Sequence, residues 1–95
     1  MKKWSEGLAW RINFTPQAEK DLGRIDPQNA RRIDLYLRDR VAPDPRAIGG
    51  PLKGELRDFW RYRVGDYRIL ARLEDEQLLV LVVKVGHRSD VYGSR

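Results

Sequence analysis

The chain has 95 residues, enough to build one domain around a single core and too few for a second independent domain. It contains no cysteine, which excludes disulfide frameworks, thiol nucleophiles and thiolate metal sites, and its single histidine argues against a histidine-based metal site. The net charge of +5 comes from 14 arginines and 5 lysines against 14 acidic residues. Arginine favours phosphate contacts because its planar fork binds two oxygens at once, although a basic surface can also serve solubility alone.

The distribution of apolar residues indicates a folded, soluble chain. A hydrophobic content of 41% is sufficient for a core. No apolar run reaches the length of a signal peptide or of a membrane-spanning helix, so the sequence predicts a cytoplasmic protein with no membrane partner. We expect a single domain over residues 1–95, in which residues 1–8 form a flexible N-terminus.

The first half of the chain predicts one strand and two helices. Residues 9–14 alternate apolar and polar side chains, which is typical of a strand with one buried face. Thr15-Pro16 then supplies a hydroxyl cap and a proline in the first turn, so we expect a helix from 16 to about 25. Asp26-Pro27 repeats this signal and predicts a second helix that ends near residue 41. Two helices so close in sequence form an antiparallel hairpin.

The second half of the chain predicts a sheet. Residues 42–51 contain three prolines and two glycines, which is typical of a loop. The hydrophobic period then changes to two, predicting strands over 59–64, 67–73 and 78–85. The order strand, helix, helix and three-stranded antiparallel meander predicts an α+β fold with both helices on one face of the sheet.

The turn between the first two strands of the meander determines where their side chains point. With a two-residue turn at Gly65-Asp66, Arg63 pairs with Arg68 and Arg61 pairs with Leu70. One face of this hairpin is then apolar and suited to carry the helices, and the other is basic with no acidic residue in the two strands to offset it. Because like charges opposed across a ladder are destabilising, an anionic partner explains the basic face better than solubility does. We call this surface the arginine face: Arg61, Arg63, Arg68 and Arg72.

The last strand leads to the only histidine. Residues 78–85 are apolar except for Lys84, so their facing is ambiguous, and a strand that is apolar on both sides is usually central or covered twice. We expect a turn after this strand to bring His87 close to Arg88 and Tyr92. A lone histidine in a turn is often an ordinary surface residue, but beside an arginine face it becomes a candidate for chemistry.

Several of these segments together resemble a known family. The motifs are Leu52-Lys53-Gly54, the run WRYRVGDYRI over 60–69, Val85-Gly86-His87-Arg88 and Val91-Tyr92. They resemble the RelE side of the RelE/ParE superfamily of bacterial toxins from type II toxin–antitoxin systems, over about residues 9 to 92. The resemblance implies a compact α+β domain of the microbial-ribonuclease type.

The same resemblance implies an activity and partners. RelE-like toxins are endoribonucleases, or mRNA interferases, that enter the ribosomal A site, cut the mRNA and inhibit translation without a metal or other cofactor. The implied partners are a small acidic RelB-like antitoxin, the ribosome with its mRNA, and operator DNA only through the antitoxin complex. Two alternatives stay open: a ParE-like inhibitor of DNA gyrase with the same fold, and a non-catalytic protein whose basic face only binds an acidic antitoxin.

The family's functional positions fall on particular residues of this chain. Its basic strand positions match Arg61, Arg63 and Arg68, and its C-terminal pair matches Arg88 and Tyr92. The implied reaction is attack of a ribose 2′-hydroxyl on the adjacent phosphate, which leaves a 2′,3′-cyclic phosphate and a 5′-hydroxyl. Such a reaction needs a base, positive charge on the phosphate oxygens and an acid for the leaving oxygen.

The residues that would transfer protons are harder to identify than those that would supply positive charge. RelE has lysines where this chain has Arg61 and Arg63, and arginine is a poor base because it does not deprotonate. We therefore assign proton transfer to His87, whose residue type titrates near neutrality, and assign Tyr92 to stacking on a base or to proton donation. Further RNA contacts are expected at Lys53, Arg72 and Lys84.

Overall fold

A computed structural model describes residues 9–87, so the predicted flexible N-terminus lies outside the described residues. The strands are β1 (Arg11–Phe14), β2 (Gly50–Pro51), β3 (Trp60–Val64), β4 (Tyr67–Glu74) and β5 (Leu79–His87), and the helices are α1 (Pro16–Gly23) and α2 (Pro27–Tyr36). The five strands form one sheet in the order β1-β5-β4-β3-β2. β1 runs parallel to β5, and the other neighbours are antiparallel. The predicted α+β class is confirmed.

Both helices begin at the predicted caps. The Thr15 hydroxyl accepts a hydrogen bond from the Ala18 amide at 3.1 Å, and the Asp26 carboxylate accepts one from the Asn29 amide at 3.2 Å. α1 ends at Gly23, slightly before the predicted end, whereas α2 continues as a wide π-helical turn over Leu37–Val41 and so reaches its predicted end. Neither helix, nor any other in residues 9–87, is long and apolar enough to cross a membrane.

The register of the β3–β4 hairpin is the predicted one. Arg63 lies opposite Arg68 and Arg61 lies opposite Leu70. The side chains on the other face are buried against the two helices and the loop that follows them. This core includes Ile33, Leu37, Val41, Tyr62, Ile69, Val80 and Val82, all fully buried.

Three differences from the predicted strands concern β2 and β5. Gly50–Pro51, predicted as loop, forms the short edge strand β2, a position that proline tolerates because it needs no amide donor there. Leu78, predicted to start the last strand, lies in the preceding turn with a φ of 49°. β5 extends through His87, so the turn expected directly after Val85 does not occur there. β5 lies between β1 and β4, which explains why it is apolar on both faces.

An irregularity in the β4–β5 ladder determines the facing of Lys84. Leu70 lies opposite Lys84 but Ala71 lies opposite Val82, so Val83 is an extra residue and forms a β-bulge. The bulge reverses the alternation of side chains along β5. Without it, Lys84 would point into the core. With it, Lys84 shares the face of Leu70, which is the arginine face.

The loop between α2 and β2 is held to the sheet by two hydrogen bonds from aromatic side chains. The hydroxyl of the fully buried Tyr62 donates to the Pro45 carbonyl at 2.7 Å, and the Trp60 indole donates to the Ile48 carbonyl at 2.8 Å. Burial raises the pKa of Tyr62, so this hydroxyl keeps its proton. We expect Tyr62→Phe to lower the free energy of unfolding by about 1–2 kcal/mol, because it leaves a buried carbonyl without its donor.

This prediction is checked by urea denaturation of the purified chain. Tyr36→Phe is the matched control, since Tyr36 is only half-buried and its hydroxyl makes no hydrogen bond within residues 9–87. Equal stability of the Tyr62 and Tyr36 variants would show that the Pro45 contact contributes nothing.

Candidate nucleic-acid interface

The arginine face lies on the side of the sheet away from the helices. Arg61 and Arg63 project from β3, and Arg68, directly opposite Arg63, projects from β4. Neighbouring strands are about 4.8 Å apart, so the guanidinium groups repel one another across the ladder. Within residues 9–87, no hydrogen bond or ion pair engages the side chain of Arg61 or Arg63. Their charges are therefore available to an anion.

The arginine face is less basic than predicted at the end that carries Arg72. β4 is one residue longer than the predicted strand, and its last residue, Glu74, lies on the same side as Arg72. The Arg72 Nε atom contacts a Glu74 carboxylate oxygen at 3.3 Å, and the guanidinium lies 6.0 Å from the centre of the Phe59 ring. The expectation that no acidic residue shares the face is thus wrong at Arg72. The uncompensated positive charge is concentrated at the opposite end.

β5 adds a further cation to the arginine face. Lys84 lies opposite Leu70, so its side chain joins the face beside that of Arg68. Gly86 lies opposite Arg68 and adds no side chain to the face. Two rows of residues therefore cross the three strands: Arg61, Leu70 and Lys84 in one, and Arg63, Arg68 and Gly86 in the other.

His87 does not project from the arginine face. It lies opposite Tyr67 at the end of β5, and the two rings meet edge to face with centroids 6.0 Å apart and an interplanar angle of 77°. Tyr67 packs against the core on the helix side of the sheet. His87 is therefore on the helix side as well, separated from the arginines by the sheet.

A cavity lies on the helix side of the sheet at the end of β5. It has a volume of about 300 Å³ and is open to solvent between α1 and the sheet. Its border includes His87 and Tyr67 on the helix side, Arg24 from the segment after α1, and Lys84 with Gly86 at the edge of β5. Lys84 thus borders the cavity of His87 and also belongs to the arginine face.

Asp21 holds this end of β5 in place, and the sequence interpretation missed it. Its buried carboxylate accepts a hydrogen bond from the Val85 amide at 2.9 Å and another from the Gln17 side chain at 2.8 Å. β1 pairs with β5 only as far as Val82, so Asp21 takes over the role of a neighbouring strand beyond that point. The available signal was a carboxylate three residues after the buried Ala18, on the same side of α1.

The remaining predicted residues are not brought together by the described structure. Lys53 is exposed in the loop after β2 and does not lie on a strand of the arginine face. Arg88 and Tyr92 lie outside the described residues. Within residues 9–87, no group of three or more histidine, aspartate or glutamate side chains is arranged to hold a metal ion.

Comparison with known proteins matches this chain to one family of toxins. Residues 12–92 match the family model described as "ParE toxin of type II toxin-antitoxin system, parDE". Toxin RelG of Mycobacterium tuberculosis is 31% identical over 85 residues, which cover 90% of this chain and 98% of RelG. Toxin YoeB of Streptomyces coelicolor is 32% identical over 78 residues, which cover 75% of this chain and 92% of YoeB.

A solved structure agrees with these matches. In the crystal structure of the toxin–antitoxin complex RelBE2 from Mycobacterium tuberculosis, one chain superimposes on this chain with a TM-score of 0.81 and 30% sequence identity. The superposition covers 87% of this chain and 95% of the other.

Proposed function

The chain belongs to the RelE/ParE family of type II toxin–antitoxin toxins, and from this membership together with its arginine face we propose that it is a ribosome-dependent mRNA endoribonuclease. The observation that carries the proposal is the set of cations on three neighbouring strands, of which Arg61 and Arg63 have no acidic partner within residues 9–87. Such a face is destabilising in the free protein and is relieved when a polyanion binds. RNA on the ribosome is the polyanion that the RelE relatives suggest.

The arginine face suits the charge that develops during cleavage. When a 2′-hydroxyl attacks the adjacent phosphate, negative charge accumulates on the non-bridging phosphate oxygens, and fixed cations that meet this charge lower the barrier. Arg68 is half-buried opposite Arg63, so it is held more firmly than an exposed arginine. We assign Arg61, Arg63 and Arg68 to the phosphate.

Proton transfer is assigned to the end of β5 and to the residues that follow it. His87 borders a cavity of about 300 Å³, large enough for a ribose and its phosphate, and would accept the proton of the 2′-hydroxyl. Arg88 would add positive charge, and Tyr92 would stack on a base or donate a proton. Lys53 and Arg72 would contact more distant phosphates. The reaction requires no metal ion.

The arginine face also suggests what kind of protein would inhibit this chain. The similar chain from Mycobacterium tuberculosis occurs in a complex with an antitoxin. We propose that this chain also binds a small acidic RelB-like antitoxin, whose carboxylates would neutralise the arginine face. Contact with operator DNA would then occur only through the antitoxin in that complex.

The test is addition of the purified chain to ribosomes programmed with end-labelled mRNA. We expect cleavage products that end in a 2′,3′-cyclic phosphate, no cleavage of the same mRNA without ribosomes, and no loss of activity with a metal chelator. Intact mRNA on the ribosome would contradict the proposal. A non-catalytic, antitoxin-binding protein is excluded if the wild-type chain cuts the mRNA and arginine-face variants lose this cleavage.

Inhibition of DNA gyrase is the second candidate, because the matching family model carries the ParE name. A supercoiling assay with purified gyrase separates the two functions. Gyrase inhibition without mRNA cleavage would establish the ParE-like alternative. Cleavage with unaffected supercoiling would establish the nuclease.

We expect Arg61→Ala and Arg63→Ala each to weaken RNA binding and to lower the slope of log affinity against log salt by about one unit, since each removes one phosphate contact. Stability should stay unchanged or improve, because repulsion across the β3–β4 ladder falls. Binding is measured by titration of ribosomes at several salt concentrations. Arg38→Ala is the control, since Arg38 lies on the α2 side and pairs with Asp34 at 3.0 Å. An unaltered slope in both face variants would remove the phosphate assignment.

A further inference from the structure

The arginine face supplies positive charge but no group that donates a proton to the leaving oxygen. Cleavage expels the 5′-oxygen of the next nucleotide, and an alkoxide leaves readily only if it receives a proton. Arginine does not give up its proton in proteins, so Arg61, Arg63 and Arg68 stabilise charge but do not act as acids. Within residues 9–87, Lys84 is the only lysine, histidine or tyrosine that shares this face.

The geometry places Lys84 beside the arginine assigned to the phosphate. Lys84 is opposite Leu70, two residues along β5 from Gly86, which is opposite Arg68. Lys84 and Arg68 are therefore diagonal neighbours on one face, a relation that puts residues about 7–8 Å apart and within reach of long side chains. Gly86 places no side chain between them. A phosphate held by Arg68 would therefore present its bridging oxygen within reach of the Lys84 ammonium group.

Two further features favour a chemical role for Lys84. Within residues 9–87, no hydrogen bond or ion pair engages its side chain, so the ammonium group is available to a substrate. Lys84 also borders the cavity that contains His87, which is the proposed proton acceptor. The bulge at Val83 turns the Lys84 side chain away from the core and onto the arginine face.

We propose that Lys84 is the proton donor to the leaving 5′-oxygen, an inference that rests on the nuclease function proposed above. The 2′-oxygen forms a bond to phosphorus, and its proton passes through solvent to the His87 imidazole on the helix side of the sheet. The bond between phosphorus and the 5′-oxygen breaks, and that oxygen takes a proton from the Lys84 Nζ atom. The neutral amine and the imidazolium return to their starting states by exchange with water.

The test compares two mRNAs on programmed ribosomes, once the wild-type cleavage site has been mapped. One mRNA is normal, and in the other a sulfur atom replaces the 5′-oxygen at that site. A thiolate leaves without a proton, so the sulfur substrate does not need the acid. Single-turnover rates at saturating protein remove any effect of altered affinity.

We expect Lys84→Arg, which keeps the charge but does not give up its proton, to cut the normal mRNA about a hundredfold more slowly or worse. The same variant should cut the sulfur mRNA at the wild-type rate. Lys84→Gln should cut the normal mRNA still more slowly, because it loses the charge as well. The sulfur substitution should raise its rate by the same factor as for Lys84→Arg. Lys20→Arg, at an exposed position of α1, is the matched control and should leave both rates unchanged.

The outcomes separate this inference from the proposed function. If the wild-type chain leaves ribosome-bound mRNA intact, the nuclease function is wrong and the inference falls with it. If the wild type cuts and Lys84→Arg cuts the normal mRNA equally fast, only the inference is wrong. An equal loss on both mRNAs in both Lys84 variants would also overturn it, because Lys84 would then serve charge or folding and not proton donation.

Discussion

Replacing His87 with glutamine should lower the single-turnover rate of mRNA cleavage by about two to four powers of ten, the range that general acid–base catalysis supplies. RNA affinity should stay near the wild-type value, because the residue contributes a proton acceptor and not a lasting charge. The dependence of the cleavage rate on pH should differ between the wild type and the variant, because only the wild type carries this proton acceptor.

The position of His87 makes its replacement a strict test of the proposed proton transfer. The ring contacts Tyr67 on the helix side of the sheet, and it shares only the cavity at the end of β5 with Lys84. Proton transfer to His87 therefore requires the bound RNA, or a water that it contacts, to reach the helix side of the sheet at the end of β5. A His87→Gln variant with the wild-type rate and an unchanged pH profile would eliminate His87, and would leave Tyr92 or a ribosomal group as the proton acceptor.

Replacing Arg68 with alanine should lower the cleavage rate by about two to three powers of ten, the loss seen when one fixed donor to a developing oxyanion is removed. Arg68→Lys should lose less, because charge persists but the two-pronged contact with phosphate does not. Both variants are measured in single turnover at saturating protein, and their stability is measured by urea denaturation. A loss for Arg68→Ala no greater than that for Arg38→Ala would show that the arginine face does not meet the transition state.

The local features of this fold follow from short stretches of sequence. Thr15-Pro16 and Asp26-Pro27 specify the starts of both helices, because a cap acts on amides only a few residues away. The glycine of Gly65-Asp66 has a φ of 58°, as a tight hairpin turn requires, and the turn sets the β3–β4 register. The arginine face was therefore predictable, since alternation from a known turn assigns each side chain to a face.

Features that depend on distant partners were not predictable in this way. The parallel pairing of β1 with β5 joins segments more than sixty residues apart, and nothing local to either strand specifies it. Asp21 likewise reads as an ordinary polar residue of α1 until β5 brings the Val85 amide against it. Glu74 was excluded from the arginine face because β4 extends one residue beyond its apolar pattern.

The sequence by itself determined the α+β class, the two helix starts and the basic face of the β3–β4 hairpin, because each depends on contacts between near neighbours in the chain. Only the tertiary structure decided the facing of β5. Its near-uniform apolar run fits either side of the sheet, and one extra residue at Val83 reverses every side chain beyond it. That reversal places Lys84 with the arginines and His87 with Tyr67, and so decides which side of the sheet each proposed proton-transfer group serves.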